Sequence, residues 1–411
     1  MTDISQMEKP VRIEALKDLK PINFLYHVGL HQAKDKGTPI CYMNALAPTE
    51  LAYAMDILPA YPENHAVAIQ AKHKALETAE AAEAHGYTPD ICSYARCDLG
   101  YRHLGKQSSP IGGIPEPDLV LFSSVQCWTI GKWFEEIARR SNKPFFVLDI
   151  PSQGRGFFTD PDPHAVAYVV DQLKECITWM EDHTHRKMDP AKLKATMQLS
   201  QEACRTWWMC LESGTAVPAP MTLFDQYMAM APIVDQRGTQ TAVNFYKKLL
   251  AELQDRINKK IGGIPNEKYR LYWDGLPLWQ SIVDFYMILF EKGAHLMANN
   301  YTRAWAQLAS DPDNVLESYA VNFLRNYDPM INYRAWDIAE TIKRYKLDGF
   351  ILHSDHSCRF LSLGLTDTLE KVQEMTGVPG LLLDTDHGDP RLYQSEQIKT
   401  RIHAYLEMLK K

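Results

Sequence analysis

Residues 117–137, PDLVLFSSVQCWTIGKWFEEI, put a strand, a loop and a helix into one short run. The block 119–122 is apolar without alternation, which is how a strand buried on both faces reads. Ser123 to Gln126 interrupts it, Cys127 follows, and an aromatic-rich segment of helical spacing comes next. A cysteine therefore stands just past the carboxyl end of a strand, where open α/β sheets take their ligands. A strand with no polar face needs helices on both sides of its sheet, so this one stretch points to a parallel α/β architecture.

The rhythm recurs along the chain. Residues 39–44 (PICYMN) read as the first strand, and Pro48-Thr49-Glu50 opens a helix with Thr49 in a capping position. A weaker strand at 57–61 leads into PENHAVAIQ and a helix over about 66–85. The turn GYTPDICSYARC (86–97) delivers Cys92 to a helix start, and the Gly-, Pro- and Ser-rich stretch 105–117 is a loop. Residues 144–150 (PFFVLDI) form another strand, which PSQGRG (151–156) ends. From 163 to about 260 the pattern is long helices with no strand signal, and strands resume at 269–273, 295–299, 349–353 and 380–383. The expected fold is α/β: two similar parallel-sheet halves joined by a helical segment. The expected divisions are a helical element at 1–36, a first half at 37–162, the helical segment at 163–265 and a second half at 266–411.

Composition excludes several classes. A net charge of −7 argues against a nucleic-acid binder. No apolar run approaches the ~20 residues of a membrane span, and residues 1–20 lack a signal-peptide core, so a cytoplasmic protein with no membrane partner is expected. Eight cysteines in such a compartment are inert buried thiols or metal ligands rather than a disulfide framework. No GxGxxG, GxxxxGK[ST] or GxSxG motif is present, so neither a nucleotide site nor a serine hydrolase is indicated; Gly112-Gly113 and Gly154-Arg155-Gly156 do not fit a phosphate loop.

The counterpart of the opening stretch is LDGFILHSDHSCRF (347–360), a strand with Cys358 a few residues beyond it. With Cys92 and Cys127 this makes three cysteines on strand-to-helix loops or helix starts, where the helix field favours a thiolate. Their separations, 35 and 231 residues, carry no compact metal-binding signature. From spacing alone, a shared metal site and three unrelated core thiols both stand. Glu63 and His65 in PENHA follow a strand end, where an acid or base would face a cleft; a carboxylate favoured by a helix start is the structural alternative for Glu63. Asp384, Asp386, Asp389 and Arg391 suit helix capping and an Asp–Arg tie between loops, with a carboxylate metal site as the sharper alternative.

YPENHA (61–66), DICSYARCDLG (90–100), PDLVLFSSVQCWTIGKWFEE (117–136), HSCR (356–359), DTDHGDPRLY (384–393) and TRI (400–402) together resemble the catalytic subunits of the benzoyl-CoA reductase and 2-hydroxyacyl-CoA dehydratase superfamily. The resemblance runs through most of the chain in the expected order. It implies a [4Fe-4S] cluster held between two Rossmann-like halves by three cysteines, which fall here on Cys92, Cys127 and Cys358. One iron would then stay open to water, substrate or a fourth ligand, for which Cys97 is the nearby candidate. Cys41 reads as a core thiol, and Cys176, Cys204 and Cys210 as packing residues. The resemblance also sets Glu63 near the substrate thioester in a proton-transfer role, with His65 beside it. His353, His356 and Arg359 would orient a carbonyl or a CoA phosphate, or bond the cluster sulfurs. Trp128, Trp273 and Trp279 are candidates for an apolar pocket.

Within the superfamily both branches take a low-potential electron from an ATP-driven activating protein with its own iron–sulfur cluster, so ATP would bind that partner and not this chain. A ferredoxin donor upstream and a related second cluster subunit are also implied. CWTIGKWFE, SQGRG, DGLPLW (274–279) and SLG (362–364) look more like the larger cluster subunit of the reductases. Ala45 stands where dehydratase alpha subunits usually carry a serine. YPENHA and 238–247 look close to dehydratases of aryl- and alkyl-lactoyl-CoA. The leading expectation is an aromatic acyl-CoA reductase subunit; the alternative is a 2-hydroxyacyl-CoA dehydratase subunit working through a ketyl radical.

Overall fold

The computed structural model describes residues 11–152, 160–325 and 330–409. Eight strands form two sheets. β1 (Ile40–Met43), β2 (Leu58–Ala60), β3 (Leu119–Ser123) and β4 (Phe145–Leu148) lie in the order β2-β1-β3-β4. β5 (Tyr269–Asp274), β6 (Ala294–Asn299), β7 (Gly349–Asp355) and β8 (Gly380–Thr385) repeat that order as β6-β5-β7-β8. Every pairing is parallel. The inner strands show no alternation of burial because both faces are covered: β1, β3 and β5 are buried at every residue. The expected α/β fold of two halves is therefore present.

The shared order has a functional consequence. In each sheet the chain reverses its direction of travel between the first and third strands, β1 and β3 or β5 and β7. A crevice opens at the carboxyl ends of such a pair. In the first half Asn44 spans it, accepting from the Ser123 N–H at 2.7 Å and donating to the Ser123 carbonyl at 3.0 Å.

Between the sheets run Pro163–Thr184, Pro190–Glu212 and Gln240–Lys259, with two short helices before the last. Asp162, Asp189 and Thr239 cap their first turns, and proline at the first helical position of two of them needs no donor there. Glu50 joins the three parts. It lies fully buried in an ion pair with Arg237 (2.8 Å) and also accepts from Ser200 and from Tyr319 of the helix Val315–Arg325. Burial would raise its pKa, but the Arg237 guanidinium overcomes this and holds the carboxyl below its ordinary value. Among the described residues, no helix is long and apolar enough to cross a membrane.

Two expectations fail locally. Thr49 does not cap. Pro48 occupies the cap position of Thr49–Ala54, and the Thr49 hydroxyl is drawn to Tyr61 Oη at 2.7 Å and the Ala47 carbonyl. The helix expected over 66–85 is two helices, Pro62–Ala71 and Ala75–Ala84, because His73 turns the chain at φ +59°. The second then packs across Ser93–Leu104 so closely that a Cβ on Gly100 would overlap the Thr78 carbonyl. The SQGRG motif falls largely outside the described residues.

Candidate active site where the two crevices meet

Each of the three singled-out cysteines occupies the cap position of a helix: Cys92 before Ser93–Leu104, Cys127 before Trp128–Ser141, and Cys358 before Arg359–Ser362. Two different devices bring them there. Cys127 is set by β3 and by Gly131, whose missing side chain lets the helix lie against the Phe122 ring; a Cβ would sit 2.7 Å from it. Cys92 and Cys358 come from opposite halves, and the buried Asp386 carboxylate clamps their neighbours. It accepts from the Ser93 hydroxyl at 2.6 Å and from the Ser357 hydroxyl and N–H at 2.6 and 3.1 Å. Ser93 follows Cys92 and Ser357 precedes Cys358, so one carboxylate fixes both loops. Arg96, buried, reinforces the junction through Asp389 at 2.8 Å.

The three thiols feel one another. Burial pushes the Cys127 pKa up to about 12, and the Cys92 charge adds to this, while N–H groups of Thr129 and Ile130 pull it down. Cys358 is raised well above its ordinary value by burial, then by Asp355, Cys92 and Cys127. Three thiolates cannot share such a place without a cation among them, and soft sulfur donors suit zinc or iron–sulfur centres. Among the described residues, Asp355, Asp386 and His387 form the one trio of ligand atoms within 4.8 Å of one another, so the three sulfurs are spread more widely than that.

Glu63 lies at the first crevice. It is buried, accepts from the Ala45 N–H at 2.6 Å and from Gln126 Nε2 at 3.0 Å, and burial lifts its pKa to about 7 against both bonds. Its charge reaches Cys127 and Tyr301. His65, on the same helix, faces elsewhere: its ring meets Ser109 Oγ at 2.9 Å and Asp98 at 3.5 Å, with Tyr101 edge-on. Ser109 Oγ in turn accepts from the N–H groups of Ile111 and Gly113, so this Asp–His–Ser chain fastens the 105–117 loop.

The remaining candidates separate by environment. Cys97 is fully buried behind the site, bonded by Gln70, with its pKa raised to about 11 by burial. Cys41, Cys176, Cys204 and Cys210 are core thiols. His353 is buried near the end of β7, with Nδ1 3.0 Å from the Leu276 carbonyl and its ring over Trp273. His356 and Arg359 are both exposed: His356 Nε2 lies 3.1 Å from Asp384, and Arg359 pairs with Asp90. Asp389 caps the Arg391 N–H and pairs with its guanidinium, the tie expected of that cluster. Trp128 is 56% exposed, whereas Trp273 and Trp279 are buried.

Sequence reading missed the rest of the aromatic wall. Trp279 donates to Tyr94 Oη at 2.5 Å, Tyr94 bonds Tyr301, and Tyr301 packs on Trp305, whose indole donates to the Ala45 carbonyl. These residues come from both halves and carry no shared motif, so nothing short of the folded contact reveals them. Gln126 and Asp386 lie inside recognisable motifs, but their partners are far away in the chain.

Fold and site define an α/β protein of two doubly wound halves with a thiol-lined junction between them. Residues 44–409 match the family model described as 2-hydroxyglutaryl-CoA dehydratase, D-component, and the chain belongs to that family. It is 32% identical over 383 residues to the (R)-2-hydroxyisocaproyl-CoA dehydratase alpha subunit of Clostridioides difficile, covering 92% of each chain. It is 28% identical over 393 residues to the alpha subunit of lactoyl-CoA dehydratase from Anaerotignum propionicum, again covering 92% of each. A benzoyl-CoA reductase subunit of Thauera aromatica is 28% identical over 376 residues, 88% of this chain and 86% of its own. The superfamily resemblance is thus borne out. The order within it is corrected: the relatives favour the dehydratase alternative over the leading reductase expectation.

Proposed function

We propose that this chain is the alpha subunit of a 2-hydroxyacyl-CoA dehydratase, holding a [4Fe-4S] cluster on Cys92, Cys127 and Cys358. The observation that carries it is the junction itself: three thiols from two halves at three helix starts, beside a carboxyl lifted to about 7. Tetrahedral zinc needs sulfurs about 3.8 Å apart for Zn–S bonds of about 2.3 Å. The wider spread of these three supports a multi-iron centre, and Cys97, turned into the core, supports three protein ligands with one iron open. When bound, the cluster supplies the electron and an open coordination site for the thioester carbonyl.

The chain's own residues do the rest. Net dehydration removes a hydroxide from C2 and a proton from C3 and returns the electron, so one protein group must move a proton without staying charged. Glu63, near neutrality and steered by Ala45 and Gln126, is that group. His65 holds the neighbouring loop. Tyr94, Trp279, Tyr301 and Trp305 exclude water from a radical anion that bulk solvent would quench. The relatives' names support a second subunit as partner, and the superfamily chemistry supports an ATP-driven activating protein with ferredoxin upstream.

The reductase remains the second reading because of the Thauera relative and because Ala45 offers the site only its backbone. Assay with the partner proteins separates them. Conversion of a 2-hydroxyacyl-CoA to the enoyl-CoA with only catalytic ATP supports the dehydratase; stoichiometric, ATP-dependent loss of the benzoyl-CoA aromatic absorbance defeats it.

A further inference from the structure

His387 is wholly buried and tightly held. Nδ1 meets Asp355 Oδ2 at 2.8 Å, the backbone carbonyl accepts from the Trp279 N–H at 2.9 Å, and the Tyr94 ring lies edge-on at 4.4 Å. That leaves one orientation for the ring, with Nε2 towards Cys92 Sγ at 4.0 Å, the outer reach of a bond to sulfur. Asp355 is held as firmly, ending β7 and accepting from the Ser357 N–H at 3.2 Å. The trio of Asp355, Asp386 and His387 is too well satisfied to be an ion site of its own. Asp386 already accepts from Ser93, Ser357, Gly388 and Asp389, and both ring nitrogens of His387 are engaged. It is a hydrogen-bonded scaffold pointing at one sulfur.

The three cysteines are also not alike. Each opens a helix without a side-chain hydrogen bond to the turn it begins. At Cys92 a ring nitrogen delivered from the opposite half of the molecule lies within reach of the sulfur. Hydrogen bonds to ligand sulfurs drain charge from them and favour the reduced state of an iron–sulfur centre.

We infer that His387 is a positioning residue: Asp355 aims its ring and takes its Nδ1–H, so that the imidazolium's Nε2–H bonds the Cys92 sulfur and makes the centre held by that sulfur easier to reduce. This rests on the cluster reading proposed above. It makes the redox poise of the site depend on how the two halves are docked, because Cys92 and His387 belong to different halves.

The test is iron and sulfide analysis with an EPR-monitored redox titration of the anaerobically purified protein. Wild type is compared with His387→Phe, His387→Gln and Asp355→Asn. His387→Phe should keep the iron of wild type and lower the equilibrium constant for reduction about tenfold, about 59 mV for one electron. His387→Gln, which retains an N–H donor, should recover part of that shift, and Asp355→Asn should show a smaller shift in the same direction. Equal potentials in all four proteins, with iron retained, overturn the inference. So does loss of iron in both His387 variants, which would make the residue structural or a ligand. A wild-type protein without iron instead overturns the cluster reading, and this inference with it.

Discussion

Glu63 shows how much a single side chain's surroundings decide. A carboxyl at a helix start would ordinarily be held acidic by the helix field. Here burial outweighs that field and the two bonds from Ala45 and Gln126, so the group is poised near 7. Glu63→Gln should lower turnover by about 10²–10⁴-fold, the usual worth of a positioned acid or base, with iron content unchanged. Loss of iron in that variant would show a structural role. Cys358→Ser tests the other half of the site: about four iron and four sulfide per chain in wild type should fall steeply in the variant, and a variant keeping its full complement would remove Cys358 from the ligand set.

At the scale of elements, the helix Trp128–Ser141 is placed by the close approach of Gly131 to Phe122. Gly131→Ala puts a methyl group against the buried Phe122 ring, and chemical denaturation should show a loss of about 1–3 kcal/mol. Because Cys127 opens that helix, the same variant should bind iron less completely. Glu267, just before β5, sits with His295 at 2.9 Å, Arg270 and the Ala219 N–H; burial opposes ionisation, but these partners pull its pKa down to about 2. A carboxyl depressed in the folded state stabilises above its unfolded pKa of about 4.3 and loses that contribution as pH falls through about 2. Glu267→Gln should therefore flatten the decline of stability between those limits while lowering stability at neutral pH; an unchanged acid limb would contradict this.

For the whole molecule the decisive contacts are those between halves: Asp386 on Ser93, Arg96 on Asp389, Trp279 on Tyr94, and Trp305 on Ala45. Arg96→Ala leaves Asp389 buried with one partner fewer, and removing one member of a buried pair costs about 3–5 kcal/mol. Arg391 also holds Asp389, so the loss should fall at or below the lower end of that range. It should loosen the docking of Cys92 against His387, so faster amide exchange at 90–97 and 384–389 is the expected signature. Protection equal to wild type in both segments would mean the junction is held elsewhere.

Much of this is readable in the chain. All eight strands coincide with short runs that lack polar alternation, because a parallel strand buried on both faces needs none and announces itself locally. The three cysteines and Glu63 stand out by falling at loops and helix starts between such runs. The break at His73 and the uncapped Thr49 do not, since one rests on a single left-handed residue and the other on a contact with Tyr61. The aromatic wall, the Asp386 clamp and the Asp355–His387–Cys92 line are invisible for the same reason. Local periodicity determined what each segment becomes, but contacts spanning hundreds of residues have no local signal. Only the docking of the two halves decided which side chains share the site and what charge each can bear there.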